Sequence, residues 1–405
     1  MLRHYIETAK QHSPLLNDYR NRIQIEQAEL LRLKALYTRS RLEANGDYLF
    51  VPVLVRDGEN VSFRWNAQDA ADYYGYDLGE SSEHLHAGVT WSQPLLGRAA
   101  YKTAREQSQI NVKTALNNIR LEENQLERAV TEQYLLCLLD QTQIAFADSI
   151  DSLLERQTGM VRQLVRNGMA KQSDMHLLAI EREKNAEMRL SSLQSYHVHL
   201  MDLNLLCGIE DTTDVILTDA ELQPGRTHDG GSLFTERYRL DSLSTAVSLR
   251  SFNLQYRPQL DLFVNAGMQT GRFPEWYRHF GWSAGLTFKW TIFDGGQRRR
   301  KECQAELQQQ SIRIYREHAE RQRRMRLSQC LSEWEKYDLR GKASEKLLAG
   351  YERLLADYAR EIEAGQASVL DYLTVLRNKI QTERDVMLMR TNRQLVIAAY
   401  NYWNH

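Results

Sequence analysis

Trp290-Thr291-Ile292-Phe293-Asp294-Gly295-Gly296-Gln297 ends a segment of alternating polarity and opens a proline-free run to about Ala364. Roughly 200 residues earlier, Trp91-Ser92-Gln93-Pro94-Leu95-Leu96-Gly97-Arg98 does the same, and its run reaches about Arg166. A second pair of matching stretches closes each run. Val165-Arg166-Asn167-Gly168-Met169-Ala170 reads like Ile362-Glu363-Ala364-Gly365-Gln366-Ala367, and each glycine is followed six residues on by an aspartate, Asp174 and Asp371. A recurrence of four landmarks in one order points to a duplication of the whole chain.

Working outward, each copy has one grammar: strand, strand, glycine break, very long helix, glycine turn, shorter helix. The first copy is residues 1–207, with a hairpin at 47–93, a long helix at 98–166 and a helix at 172–206. The second is residues 235–405, with a hairpin at 259–292, a long helix at 297–364 and a helix at 368–403. Residues 208–234, with Pro224-Gly225 and Gly230-Gly231, read as an irregular connector. A leading helix is expected over about Leu2–Ala44 in the first copy and about Thr235–Tyr256 in the second.

At about 1.5 Å of rise per residue, each long helix would be roughly 100 Å long. Their apolar stripes are narrow: Leu347, Tyr351, Leu354, Tyr358 and Ile362 in one, Ile150, Leu154, Val161 and Leu164 in the other. Steps of three and four with charge on the remaining faces make a coiled-coil seam, and such a helix needs neighbours along its length.

The strand segments alternate. Trp282, Ala284, Leu286, Phe288, Trp290 and Ile292 fall on one face, against Ser283, Gly285, Thr287, Lys289 and Thr291. Leu260, Leu262, Val264, Ala266 and Met268 oppose Asp261, Phe263, Asn265 and Gly267, and Leu85, Ala87, Val89 and Trp91 oppose His84, His86, Gly88 and Thr90. The stretch Tyr48–Val55 alternates poorly, and Pro52 demotes it to an edge. Alternation alone fits any half-buried antiparallel strand. Strand length, tryptophans on the aliphatic face and a small polar opposite face turn the reading toward a membrane barrel. Four strands cannot close a barrel, so several chains would have to complete it. Residues 57–83, with Tyr73-Tyr74-Gly75-Tyr76, and 270–280, with Phe273, Pro274, Trp276 and Tyr277, read as the hairpin loops.

Composition narrows the classes. The chain has 52 basic and 53 acidic residues, a balance that argues against a nucleic-acid binder. No run approaches the roughly 18 apolar residues of a membrane-spanning helix, which leaves a β-barrel open. Met1-Leu2-Arg3-His4-Tyr5 has no apolar leader core, so the chain is either cytoplasmic or begins at a mature region. The four cysteines, Cys137, Cys207, Cys303 and Cys330, show no C-x-x-C pair and are expected to be small buried packing residues.

The ordered pieces Ser13-Pro14-Leu15-Leu16, Trp290 to Gly296 and Ala364-Gly365-Gln366-Ala367-Ser368-Val369-Leu370-Asp371-Tyr372-Leu373 resemble the TolC-like outer-membrane efflux proteins. The resemblance implies a mainly α chain with a β-barrel portion. Long antiparallel coiled-coil helices would form a periplasmic α-barrel, and four strands per protomer would join a trimeric transmembrane β-barrel. It implies a homotrimer in the outer membrane of a Gram-negative bacterium, in contact with outer-membrane lipid. A periplasmic adaptor protein would dock at the glycine turns and link the duct indirectly to an inner-membrane pump. The docking tip would be Arg166, Asn167, Gly168, Met169, Ala170 and Ser173, with Ala364, Gly365, Gln366, Ala367 and Ser368. The pore constriction carries over to Asp371, with Thr374 where relatives have a second acid, and with Asp174 as the first-copy counterpart. Trp91, Trp282 and Trp290 would form the barrel girdle.

On physical grounds, the turn glycines suit helix C-termini, Ser173 and Ser368 are candidate caps, and an acid in a first helical turn is stabilised by the macrodipole whatever else it does. His84-x-His86 lacks a visible third ligand, so no metal site is expected. His197-x-His199 lies on a helix, where i and i+2 diverge. Arg298-Arg299-Arg300-Lys301 reads as a solvated cluster. No catalytic motif appears, and no cofactor is expected. The competing reading is a soluble periplasmic coiled-coil scaffold or adaptor without a pore; an enzyme is a distant third.

Overall fold

The computed structural model describes residues 1–50, 53–64, 83–225, 232–270, 277–278, 280–364 and 366–405. In chain order the elements are α1 (Leu2–His12), α2 (Pro14–Thr38), β1 (Arg41–Phe50), β2 (Val53–Asp57), β3 (Asn60–Arg64), β4 (Glu83–Pro94), α3 (Arg98–Arg166), α4 (Gln172–Cys207), α5 (Leu233–Leu254), β5 (Gln259–Thr270), β6 (Phe280–Lys289), α6 (Gln297–Glu363) and α7 (Val369–Trp403). The chain is mainly helical with one four-stranded antiparallel sheet, as the periodicities predict.

Two compact units emerge, and each draws on both halves of the sequence. One comprises Met1–Asn21, Ala115–Arg239 and Arg313–His405; the other comprises Arg22–Thr114 and Leu240–Ile312. The second unit holds the sheet, in the order β1-β4-β5-β6. Register fixes its faces, because directly opposed residues in an antiparallel pair share a side. Ala44, Val89, Ala266 and Trp282 form one apolar row, and Leu42, Trp91, Val264 and Ala284 form the next. Glu43, Thr90, Asn265 and Ser283 form a polar row on the other face.

The first unit is held by two apolar clusters. In one, Tyr5 and Ala9 of α1 pack with Val130, Tyr134 and Cys137 of α3 and with Tyr196, Leu200 and Cys207 of α4. In the other, Ile150, Leu154 and Val161 of α3 meet Leu178 of α4, Ile362 of α6 and Val369, Tyr372 and Leu373 of α7. The seam residues read from the sequence thus recur as cluster residues. Leu347, Tyr351 and Leu354 are absent from this cluster, and Leu347 and Leu354 are exposed.

Several expectations need correction. The opening helix, read as continuous to Ala44, breaks at Ser13 and ends at Thr38. Ser13 is extended (φ −59°, ψ 118°), as a residue before proline prefers. It then starts α2 by accepting a hydrogen bond from the Leu16 N–H at 3.4 Å, with Pro14 at the first helical position, where its missing donor costs nothing. Residues 41–44 are strand, because β4 pairs with all of Arg41–Phe50. The segment read as a loop from residue 57 contains β3, which forms a separate hairpin with β2. Residues 65–82, including Tyr73–Tyr76, lie outside the described residues, as do Pro52, Phe273, Pro274 and Trp276. The last strand stops at Lys289, short of Trp290 and Ile292. Its partner β5 begins at Gln259, just after Pro258, which has no N–H to extend the ladder. Three cysteines are buried as expected, but Cys303 is exposed.

Candidate pore-lining sheet and helix tips

The sheet's apolar face is open to the surroundings in the single chain. Trp282 is 78% exposed and Phe280 74%, and Leu42, Tyr48, Leu286 and Phe288 are exposed with them. Among the described residues β1 and β6 each have one sheet neighbour, so both outer edges of the sheet are unpaired. A broad apolar face between two open edges is a surface that water does not favour. On the opposite face the polar groups bond across strands: His86 Nδ1 lies 3.2 Å from Asp47 Oδ1, and the Thr90 hydroxyl donates to Asn45 Oδ1 at 3.3 Å. Only the backbone of His84 is described. No cluster of metal-ligating side chains occurs among the described residues, nor is any described helix long and apolar enough to cross a membrane.

The three girdle tryptophans differ in placement. Trp91 lies within β4 and Trp282 within β6, both on the apolar face. Trp290 lies past the strand end, where its indole N–H donates to the Tyr256 carbonyl at 3.2 Å.

Each long helix starts from a stop in the sheet. At α6, Asp294 Oδ2 accepts from the Arg298 N–H at 2.7 Å and Oδ1 from the Gly296 N–H at 2.9 Å. Those backbone donors, Arg298 first, hold its carboxyl below the usual carboxylate range. The cluster Arg298–Lys301 follows directly, with Lys301 Nζ 6.0 Å from the centre of the Phe252 ring.

At the far end of α3, Gly168 takes a left-handed conformation (φ 73°). Its N–H donates to the Val165 carbonyl at 3.0 Å, and the Met169 N–H reaches back to Leu164 at 2.8 Å. This is the Schellman closure that glycine permits. At the end of α6 the Gln366 N–H makes the equivalent reach to Glu361, at 2.8 Å; Gly365 lies outside the described residues. Arg166, Asn167, Met169, Ser173, Ala364, Gln366 and Ser368 are exposed, with Ala170 and Ala367 half-buried against the second cluster.

The caps divide unequally. Ser368 caps α7, accepting from the Leu370 N–H at 3.2 Å. Ser173 does not cap α4: Lys171 holds that position, and Asp174 returns its carboxylate to the Lys171 N–H at 3.0 Å. Asp371 is exposed within the first turn of α7, and the nearby Thr374 hydroxyl is turned onto the Leu370 carbonyl at 2.9 Å.

Other polar fastenings leave no periodic trace in the sequence. His199 Nδ1 meets the buried Asp140 carboxylate at 2.5 Å, while His197 meets Asp214 at 3.0 Å. The two histidines do diverge, each onto its own acid. Burial pushes the Asp140 carboxyl up, against the opposing effect of His199. Residues 208–225 of the connector have neither helix nor strand, while its last two residues already belong to α5; helix side chains hold the irregular backbone. Tyr134 donates to the Thr218 carbonyl and Tyr196 to the Val215 carbonyl, while Gln141 bonds both the N–H and the carbonyl of Leu217.

This architecture matches solved outer-membrane channels along its whole length. Structures of CusC, described for the changes accompanying folding and transmembrane channel formation, align with a TM-score of 0.77 at 15% identity, covering 100% of this chain and 91% of that one. The chain has the TolC-like fold. The outer membrane protein VceC of Vibrio cholerae aligns at 0.76 with 13% identity, covering 100% and 95%. The outer membrane channel MtrE of Neisseria gonorrhoeae, in its open state, aligns at 0.73 with 14% identity, covering 100% and 88%. By sequence, no family model and no curated protein matches the chain. The TolC-like fold is therefore recognised through backbone geometry, with most side chains replaced.

Proposed function

We propose that the chain is one protomer of a trimeric outer-membrane channel, a passive export duct that performs no chemistry of its own. The observation that carries this reading is the sheet: four strands with an exposed apolar face, a polar face and, among the described residues, two unpaired edges, set in a TolC-like fold. In lipid an open edge is not tolerated. Three copies joined edge to edge, β6 of one to β1 of the next, would satisfy both edges and give a barrel of about twelve strands. Trp91 and Trp282 would then face lipid, and the Asn45, Asp47, His86 and Thr90 side would face water.

In this reading the two halves are duplicated copies, residues 1–207 and 235–405, and their helices line a periplasmic tube. The exposed turns around Gly168 and Gln366 would meet an adaptor protein, which connects the duct to an inner-membrane pump. Asp371 is the better candidate for the constriction. It is exposed while Ser368 carries the cap, whereas Asp174 is spent on the α4 terminus.

The test is single-channel conductance of the detergent-purified protein in a planar bilayer, wild type beside Asp371→Ala, with the mass measured in detergent. A trimer with discrete cation-preferring steps that change in Asp371→Ala is the expected result. Steps unchanged by the substitution would move the constriction elsewhere. A monomer or dimer that needs no detergent and never inserts would overturn the channel and favour the soluble scaffold.

A further inference from the structure

A cavity of about 620 Å³ opens between α3, α4 and α7 in the first unit, and none of the named tip residues lines it. Its size falls within the range of small-molecule sites, roughly 300–1,000 Å³. It is also far larger than the ~30 Å³ share of one water. One wall is apolar and includes Ile150, Leu154, Leu373 and Leu376, three of which are almost fully buried.

Among the described residues, the polar lining carries two unmet hydrogen-bonding demands. Asn185 is only 6% exposed; its side-chain N–H₂ donates to the Ala147 carbonyl at 2.7 Å, while its Oδ1 is buried with no partner. Arg377 binds Glu181 through Nη2 at 2.7 Å, while its Nε–H is buried with no partner. A buried acceptor and a buried donor left unpaired each carry a desolvation penalty that a suitable ligand would remove. Glu181 is already occupied by Lys184 at 3.1 Å as well as by Arg377. The lining has three cations, Lys184, Arg377 and Arg384, against two carboxylates, Glu181 and Glu187, an excess of one positive charge.

From these features we infer that the cavity binds a small anionic amphiphile. Its acidic group meets Arg377, an N–H or O–H donor satisfies Asn185, and an apolar body lies on the leucine-isoleucine wall. The guanidinium supplies directional, charge-assisted bonds to a carboxylate. A ligand seated there touches α3, α4 and α7 together. This site is separate from the pore reading, and its occupancy is measurable whether or not the protein conducts.

The probe is dansylglycine, which combines a carboxylate, a sulfonamide N–H and a naphthalene ring. It is titrated into the full chain held in an amphipathic polymer, with dansyl fluorescence as the readout. The expected result is a saturable rise with one site per chain, at least tenfold weaker for dansylamide, which lacks the carboxylate. Arg377→Gln weakens dansylglycine binding at least tenfold. Ser195→Trp, which adds an indole at a half-buried lining position outside the Glu181–Arg377 pair, abolishes it. Thermal melting shows which variants fold, and if Arg377→Gln does not, Ser195→Trp decides. A non-saturable signal, binding unchanged in a folded Ser195→Trp protein, or a folded wild type that binds nothing because a neighbouring chain covers the cavity would each overturn the proposal.

Discussion

The two long helices begin alike in sequence and differently in structure. Gly97 and Gly296 occupy matching places, one residue before the first residue of each helix. At Gly97 the constraint is contact: an added Cβ would overlap the carbonyl oxygen of Tyr37, so the end of α2 closes directly onto the start of α3. At Gly296 there is open space around the position, and the constraint is the backbone, with φ at 83° after 65° at Gly295. Asp294 caps α6, whereas the matching first-copy stretch carries Pro94-Leu95-Leu96 and passes its Leu95 N–H to the Leu260 carbonyl at 2.9 Å. A shared motif therefore preserved the place of the break while its physical cause diverged. The helix tips repeat the lesson: Asp174 serves its own helix terminus, and Ser368 frees Asp371 from that task.

Substitutions can break this comparison. Gly97→Ala should have the largest effect, about 3 kcal/mol or more, because a backbone carbonyl cannot swing aside as a side chain does. Gly296→Ala should cost less, about 1–2 kcal/mol, the price of a left-handed residue with a Cβ. Chemical denaturation of the two variants side by side checks the order, and equal losses would mean that both glycines serve one purpose. Asp294→Asn comes next and is read through pH. The folded carboxyl lies below its ordinary value of 3.8, so its contribution is present above that value and is lost as pH falls through the folded one. The wild-type melting temperature should therefore drop below about pH 3.8 more steeply than that of the variant. At the tips, Asp174→Ala should cost about 1 kcal/mol, because the Lys171 N–H loses its acceptor. Asp371→Ala should cost under about 0.5 kcal/mol, as an exposed surface change does. The same stability loss from both would place Asp371 in a capping role.

Much of the fold was legible. β4, β5 and β6 alternate cleanly, and the long helices show proline-free seams that end at glycine. β1 was started too late, near Tyr48, although Leu42, Ala44 and Tyr48 alternate with Glu43, Asn45 and Asp47. Its leading Arg41-Leu42-Glu43-Ala44 is made of good helix formers, and pairing with β4 overrides that preference. The break at Ser13-Pro14 was visible as a proline after a capping serine. The assignment of Ser173 as a cap slipped by two residues, since the counterpart of Ser368, three residues after the turn glycine, is Lys171. Nothing local marks Gln141, Tyr134 and Tyr196 as holders of the connector, or Asn185 and Arg377 as members of one cavity.

Period and composition alone settled the lengths of the two long helices, the places of the turns and the two faces of the main strands, because each depends on neighbours within a few residues. Tertiary structure decided the strand order β1-β4-β5-β6, which glycine answers to a contact and which to a torsion, and which aspartate is consumed by its own helix. Those outcomes depend on which distant backbone or side chain arrives nearby, and an approach between residues far apart in the chain leaves no periodic mark on either one.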